Sequence, residues 1–321
     1  MRTELRAAAF VVSLFCAAVA CAQPNYPIKP VRLIVPFPPG GGTDITARMV
    51  AAKLSESFRH TVIVDNRPGG GGTIGIETAV KSSPDGYTLI LLTTGYTTNA
   101  ALGKLAYDPV NDVSPIALVG ETGFVVILNP WVPVKSIKAL IAYDEANPGK
   151  LNYGSAGTGG ITHVATELLN HMAGIKMTHV PYKGGPPAMT DLLGGQIQVF
   201  LSGLPPAIPH LKSNRLRGIA LTSAKRSSSA PDIPTVAETV PGYEAVLWFA
   251  VLGPKAVPKE IVTRWNREID RIVQLPDIKQ RMASDGTEPL GGPPERFRDV
   301  LTREIAKWQK VVRIANIKVG S

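Results

Sequence analysis

Short apolar runs alternate with amphipathic segments along the first part of this 321-residue chain. Runs typical of buried strands cover 31–36, 61–65 and 87–93. Between them, 43–58 carries apolar residues near helical spacing, and 73–81 is a shorter helical segment. The order strand, helix, strand, helix, strand predicts right-handed crossovers and a parallel sheet.

The middle of the chain repeats this alternation. Two apolar runs, 116–119 and 124–128, flank the sequence GETG at 120–123, and we place the crossing into a second domain there. Beyond it, helices are expected at 137–145, 161–172 and 187–193, and strands at 151–153, 177–181, 197–201 and 216–222. The apolar run 246–252 is expected to return the chain to the first domain, ahead of C-terminal helices at 258–274, 277–284 and 294–312.

The pattern therefore predicts an α/β protein with two lobes. The first lobe is expected to comprise 23–123 and 250–321, and the second 124–249. A length of 321 residues suits two domains better than a single core. Because the chain crosses twice between the lobes, a cleft is left between them, and ligands commonly bind in such clefts.

Four glycine-rich turns each follow a strand-like run and open a predicted helix. They cover 39–44, 68–73, 154–160 and 183–187. A helix start presents unpaired backbone N–H groups and the positive end of the helix dipole, and glycine lets the backbone come close to a ligand. The turns predict a cleft that holds a carboxylate or a phosphate, although they are not spaced like a nucleotide motif.

The first 22 residues have the pattern of an export signal. Arg2 and Arg6 form a basic region before the apolar stretch 7–19, which is too short to span a bilayer. The sequence ACA at 20–22 fits a cleavage site. Lipidation of Cys21 is the alternative, but the Leu usual three residues before a lipid-bearing Cys is absent. We therefore expect cleavage after residue 22 and a periplasmic protein.

Cysteine content and charge narrow the function classes. Cleavage after Ala22 removes Cys16 and Cys21, the two cysteines of the chain, and leaves no disulfide and no cysteine-ligated metal. The formal net charge is +9, or +8 without the signal segment. This balance favours anionic ligands or a membrane surface, or reflects only an ordinary surface of mixed charge. The basic residues are scattered, so nucleic-acid binding is not expected.

A dinucleotide motif must be weighed at 70–75, where GGGTIG fits G-x-G-x-x-G and follows a strand. That reading requires an acidic residue at the end of the next strand, about twenty residues further on. The next strand ends with LLTTG at 91–95, which has no carboxylate. NAD binding is therefore not expected, and no cofactor is predicted.

Neither nucleophilic nor metal chemistry is indicated by the serine and histidine positions. Ser155 stands in the sequence GSAG rather than in the G-x-S-x-G of a nucleophile elbow. His163, His171 and His179 are eight residues apart, a spacing that matches no known zinc site. His163 is favoured as a packed helix residue over a general base. We expect no catalytic residue and no metal.

Several polar and aromatic residues near the glycine turns have two interpretations. Asp44 either caps its helix or binds a ligand amine, and the cap is favoured because an acidic first turn complements the dipole. Tyr182 and Trp248 form aromatic walls if they line the cleft, although core packing is the commoner role. Hydroxyls that either cap a helix or donate outward to a carboxylate belong to Thr43, Thr158 and Thr162.

Longer stretches of the chain are characteristic of one family. They are YPIKPVRLIVPFPPGGGTD (26–44), DNRPG (65–69), NPGKLNYGS (147–155), HVPYKG (179–184) and DLLGGQ (191–196), with Pro234-Thr235, Glu238 and Trp248. Over essentially its whole mature length, the chain resembles the Bug-type extracytoplasmic solute-binding proteins of tripartite tricarboxylate transporters. It departs from the family at Gly70-Gly71, where Gly-Ala is common, and at 253–259, which lacks the usual PAGTP.

The resemblance implies a two-lobed, type II periplasmic-binding fold that closes on a small, usually carboxylated ligand: a di- or tricarboxylate, an aromatic acid or an amino acid. The first glycine loop and the Gly-Ser-x-Gly region would grip one carboxylate. The ligand would pass to a membrane permease. Carried onto this chain, the expected ligand-binding residues are Pro38, Gly40, Gly41, Gly42, Thr43, Asp44, Gly71, Thr94, Ser155, Gly157, Thr158, Gly159, Thr162, His163, Tyr182 and Asp191.

Two other functions stay open at this point. A protein of this kind can present its ligand to a membrane sensor, which differs from transport only in the docking partner. An exported hydrolase would turn its ligand over, whereas a binding protein releases it unchanged. Fold alone does not decide among these functions.

Overall fold

The computed structural model describes residues 26–103, 105–227, 230–314 and 317. The predicted signal segment and both cysteines lie outside the described residues. The strands are β1 (Val31–Val35), β2 (Val62–Asn66), β3 (Thr88–Thr93), β4 (Val113–Leu128), β5 (Asn152–Ser155), β6 (Thr178–Pro181), β7 (Val199–Gly203), β8 (Arg217–Leu221), β9 (Val246–Pro254) and β10 (Thr287–Pro289). The α-helices are α1 (Gly42–Phe58), α2 (Thr73–Val80), α3 (Gly95–Ala101), α4 (Ile137–Ala146), α5 (Ile161–Ala173), α6 (Gly185–Leu193), α7 (Leu204–Lys212), α8 (Lys259–Val273), α9 (Pro276–Ser284) and α10 (Pro294–Ile314).

The strands pair in the order β2-β1-β3-β9-β4-β7-β5-β6, with β8 and β10 each paired to β4. The parallel sheet predicted for the first three strands is confirmed, since β1 pairs in parallel with β2 and β3. A second parallel group is formed by β5, β6 and β7. The two long strands between these groups, β9 and β4, are antiparallel to their neighbours. The sheet is therefore mixed.

Strand β4 joins the two apolar runs 116–119 and 124–128 of the sequence analysis into one continuous element. It is one strand of 16 residues, which pairs with β9 from Val113 to Gly123 and with β7 from Phe124 to Leu128. Gly120 and Gly123 lie within this strand, where it packs closely against neighbouring segments. A Cβ on Gly120 would lie 2.7 Å from the carbonyl oxygen of Glu288, and one on Gly123 would lie 2.8 Å from Ser223 Oγ. The expected lobe boundaries stay a prediction.

The core lies on both faces of this sheet. On one face, buried residues of α1 at helical spacing (Ala47, Val50, Leu54 and Phe58) cover β1 and β3. The ring of Phe58 meets Trp265 of α8 edge-on, with centroids 5.2 Å apart. On the opposite face, Trp248 packs edge-on against Phe297 of α10 at 5.6 Å. Of the two interpretations open for Trp248, the structure therefore supports core packing.

Some elements were not expected from the sequence. Helix α7 contains Pro205, Pro206 and Pro209, and a segment with three prolines carries no sequence signal for a helix. Proline is compatible with a first turn because the N–H groups there have no intrahelical partner. Helix α3 is a short helix of seven residues that is buried at its start, and its threonine-rich sequence carries no helical pattern. Helix α7 borders the cavity described next.

Candidate functional site

A cavity of about 330 Å³ lies where four helices begin. Its wall contains Thr43 of α1, Thr162 of α5, Pro186 of α6 and Gly203, the residue before α7. The volume is at the lower end of the range of roughly 300–1,000 Å³ for small-molecule sites. Four helix starts at one cavity are an unusual concentration of backbone donors and dipole ends, so the cavity is the candidate functional site.

Two of these helix starts present unpaired backbone N–H groups. Helices α1 and α5 begin after Gly41 and Gly160, and neither glycine has a side chain that could cap the helix. The first N–H groups of a helix have no partner within the helix. With the positive end of the dipole, they form a site for an anion. An anion at this end of the cavity would therefore take the place of the missing caps.

Two threonine hydroxyls supplement the backbone donors. The Thr162 hydroxyl oxygen accepts a 2.9 Å hydrogen bond from the Ala156 amide, which leaves its proton to donate elsewhere. Within the described part of the chain, the Thr43 hydroxyl makes no hydrogen bond. Both residues line the cavity. A carboxylate beside them can accept a charge-assisted hydrogen bond from each.

Asp44 is used to brace the first glycine loop. Its carboxylate accepts from the Gly40 amide at 3.0 Å, from Arg48 at 2.9 Å and from the Asn66 side chain at 3.0 Å. Burial raises the pKa of Asp44, but these hydrogen bonds outweigh burial and hold the pKa below its usual value. The side chain is buried and lies outside the cavity wall. It stabilises the loop that carries Gly41 and Thr43.

The other two helix starts are poor in donors because they are rich in proline. Helix α6 begins Gly185-Pro186-Pro187 and helix α7 begins Leu204-Pro205-Pro206. Proline has no N–H, so two of the four donors that a helix start normally offers are missing in each helix. Both helices present hydrocarbon to the cavity through Pro186 and Pro206. The cavity is therefore polar on the α1 and α5 side and apolar on the α6 and α7 side.

Loops from the two parallel strand groups meet beside the cavity. The Thr98 hydroxyl donates a 2.7 Å hydrogen bond to the carbonyl oxygen of Gly159, and both residues are buried. Asn99 donates to the carbonyl of Gly71 at 3.1 Å. A Cβ on Gly71 would lie 2.8 Å from the carbonyl oxygen of Thr158. Only glycine at residue 71 permits this approach, so the backbone of one group lies directly against the other.

Ser155 belongs to a buried polar cluster below the glycine turn 154–160. Its hydroxyl oxygen lies 2.6 Å from His179 Nε2 and accepts a 3.2 Å hydrogen bond from the Gly157 amide. The rings of His163 and His179 stack at 4.0 Å, and Tyr153 stacks on His179 at 5.0 Å. Ser155 has no exposed surface. The cluster therefore holds the turn in place, and the hydroxyl has no access to the cavity.

We expect this cluster to make stability sensitive to acid. Burial lowers the pKa of His179 to about 4 from a usual value of 6.5. Below about pH 6.5 the histidine of the unfolded chain binds a proton, whereas in the folded chain it stays neutral until about pH 4. The contribution of neutral His179 to folding stability is therefore complete above pH 6.5 and is lost as the pH falls towards 4. The melting temperature should fall between pH 7 and pH 5. His179→Asn should lose less over the same interval, and an equal loss in both proteins would contradict the assignment.

The chain is similar to known proteins over most of its length. A family model described as tripartite tricarboxylate transporter family receptor matches residues 46–317. The protein BugT of Bordetella pertussis is 36% identical over 317 residues, which is 96% of this chain and 97% of BugT. The chain belongs to this receptor family. As a member, it is a solute-binding receptor of the periplasmic binding-protein class.

Two solved structures of such receptors have the same fold. Rpa4515 of R. palustris with adipate is 36% identical, with a TM-score of 0.88, and the alignment covers 91% of this chain and 99% of that one. The periplasmic binding protein BugD is 31% identical, with a TM-score of 0.88 and the same coverage of 91% and 99%. The predicted α/β periplasmic-binding fold is thereby confirmed.

The structure brings five of the predicted site residues of this receptor into the cavity wall, namely Gly40, Gly41, Gly42, Thr43 and Thr162. Others lie beside the cavity in supporting positions: Pro38, Asp44, Gly71, Ser155, Gly157, Thr158, Gly159 and His163. Thr94 bonds the backbone of β9, and Tyr182 donates to Asp191 at 2.7 Å, so these three residues bond within the protein. A direct contact with ligand stays a prediction for all sixteen.

Sequence reasoning missed much of the receptor's cavity wall. The missed residues are Phe37, Thr93, Phe124, Ala156, Ile161, Gly185, Pro186, Met189, Thr190, Leu193, Phe200, Leu201, Ser202, Gly203, Pro206, His210 and Leu247. The fourth glycine turn, 183–187, was the available signal for Gly185 and Pro186.

Among the described residues, no cluster of three or more His, Cys, Asp or Glu side chains could bind a metal ion, and no helix is long and apolar enough to cross a membrane.

Proposed function

We propose that this receptor captures a small carboxylate in the cavity between α1, α5, α6 and α7. The observation that carries the proposal is that α1 and α5 both begin, without side-chain caps, at the wall of one cavity. Uncapped helix starts bind anions without a buried cation. The relative Rpa4515, which shares the fold, was solved with adipate, a carboxylate.

We propose further that the receptor is exported and delivers its ligand, chemically unchanged, to the membrane permease of a tripartite tricarboxylate-type transporter. The N-terminal signal pattern and the family description support this proposal. The hydrolase alternative has little support, because Ser155 is fully buried and hydrogen-bonded to His179. Presentation of the ligand to a membrane sensor would use the same cavity and differ in the docking partner.

Calorimetry of the purified mature chain against a carboxylate panel tests the binding function. The panel contains mono-, di- and tricarboxylates, aromatic acids and amino acids, with the matched uncharged amides as controls. We expect saturable binding of at least one carboxylate, no binding of its amide, and recovery of the ligand unchanged. Binding of the amide with equal affinity would contradict an anion site at the helix starts.

Removal of either free hydroxyl should weaken binding. Charge-assisted hydrogen bonds contribute about 1.5–3 kcal/mol, so Thr162→Val and Thr43→Val should each lower affinity roughly ten- to a hundredfold. The control is Thr190→Val, since Thr190 lines the same cavity but its hydroxyl donates to the Pro186 carbonyl. Calorimetry on the three variants checks this. Equal affinities in all three would place the anion away from α1 and α5.

A further inference from the structure

The residues that line the cavity divide into a donor-rich group and an apolar group, and this bears on the class of carboxylate. The α1 and α5 end has backbone N–H groups and the Thr43 and Thr162 hydroxyls. At the starts of α6 and α7, proline removes two of the four N–H groups that each helix start normally offers. An anionic group therefore finds more hydrogen-bond donors at the starts of α1 and α5 than at the starts of α6 and α7.

The wall beyond that position is hydrocarbon. Met189 and Leu193 of α6, Phe200 of β7, Pro206 of α7 and Leu247 of β9 line it. Removal of apolar surface from water is favourable, so an apolar ligand body that packs against this wall is stabilised there.

The hydroxyls on this wall are already engaged. Thr190 donates to the Pro186 carbonyl at 3.2 Å, and Ser202 donates to the Gly203 carbonyl at 3.0 Å. Each hydroxyl has a single proton, which these bonds use. The hydroxyls therefore cannot donate to a second carboxylate without losing a bond to the backbone.

No cation offsets a second negative charge. The residues that line the described cavity include neither lysine nor arginine, and neither aspartate nor glutamate. Their one titratable side chain is His210, whose pKa is lowered by burial and, to a smaller extent, by the charge of Arg215. His210 is therefore neutral near pH 7 and offers a hydrogen bond to a neutral polar group. A carboxylate placed against this wall would lose its hydration without a charged partner.

We propose that the ligand of this receptor is a small monocarboxylate with an apolar aliphatic or aromatic body. The inference rests on the proposed carboxylate-binding function and narrows it. The carboxylate lies at the starts of α1 and α5, and the body packs against Met189, Leu193 and Phe200. The relative Rpa4515 was solved with adipate, a dicarboxylate, so the inference predicts a ligand preference for this chain that differs from that ligand.

Hexanoate and adipate provide the matched test, because they have the same number of carbons and differ only in a terminal methyl or carboxylate. Calorimetry at pH 7.5 should show hexanoate binding at least about tenfold more tightly than adipate. Benzoate should likewise bind more tightly than terephthalate. Adipate binding as tightly as hexanoate, or more tightly, would overturn this inference and leave the carboxylate function standing. Absence of binding by every carboxylate tested would overturn both.

A charge placed on the far wall should reverse the preference. Leu193 lies at the end of α6, half-buried, so an arginine there can contact the cavity and still reach water. Leu193→Arg should raise the affinity for adipate relative to hexanoate by about tenfold or more, and Leu193→Met should leave the ratio unchanged. A ratio that is the same in all three proteins would show that the wall does not contact the ligand body. The comparison of hexanoate with adipate in the parent chain does not depend on how the variants fold.

Discussion

Gly71→Ala is expected to lower ligand affinity roughly ten- to a hundredfold. A methyl group at this position would lie 2.8 Å from the carbonyl oxygen of Thr158, on the loop that faces Gly71 beside the cavity. Overpacking of this kind costs about 1–3 kcal/mol. If the two loops meet only when the cleft is closed, the free-energy cost of this clash falls on the closed state alone. Ligand binding must then supply that free energy, and the affinity falls by the corresponding factor.

Gly149→Ala is the matched control. Gly149 has φ of 73° against 68° for Gly71, so both substitutions place an alanine at positive φ, but a Cβ at residue 149 meets nothing within 4 Å. Both variants should lose similar stability, and only Gly71→Ala should lose affinity. Small-angle scattering with saturating ligand should show compaction of the control and less of Gly71→Ala. Equal affinity in the two variants would mean that the loop contact is not coupled to binding.

Gly41→Leu is expected to abolish detectable binding. Gly41 precedes α1 with φ of −81° and ψ of 166°, a conformation open to any residue, so the backbone is not strained by a side chain. A Cβ there would lie 3.7 Å from Pro186 Cδ across the cavity. A leucine side chain would extend from that position into the space of the anion and cover the N–H groups.

Gly41→Ala separates this effect from a general disturbance. Its methyl group meets Pro186 at an ordinary van der Waals distance, so binding should survive with a reduction of less than about tenfold. Thermal melts should show both variants folded, and calorimetry should show a loss of at least about a hundredfold for Gly41→Leu only. Tight binding by the leucine variant would place the carboxylate elsewhere in the cavity.

Local signals explain why part of the fold could be predicted. The strands β1, β2 and β3 are short apolar runs bounded by turn residues, and helix α1 carries a regular apolar stripe. The continuity of β4 through Gly120 and Gly123 could not be read from the sequence, because a glycine that permits close packing within a strand looks the same in sequence as one in a turn. The prolines of α7 concealed a helix for a similar reason.

The polar end of the site was partly accessible to sequence reasoning, and the apolar end was not. Gly41 and Thr43 stand in a glycine turn whose chemistry can be read locally. Phe200 and Leu247 are apolar residues of strands, and nothing in the sequence distinguishes a strand residue that faces a cavity from one that faces the core. Which apolar residues meet across the cleft depends on the sheet order, a property of the whole chain.

The two segments that join the parallel strand groups, β4 and β9, are paired with each other from Val113 to Gly123. Any opening of the cleft must therefore bend this hydrogen-bonded pair of strands, because the two segments are not independent flexible linkers. The backbone hydrogen bonds between the two strands resist bending of the pair, and this resistance should oppose widening of the cleft. The register of the pair shifts between Leu118 and Gly120, and an irregularity of this kind bends a strand locally. We therefore expect the stiffness of the β4–β9 pair to limit how far the cleft can open.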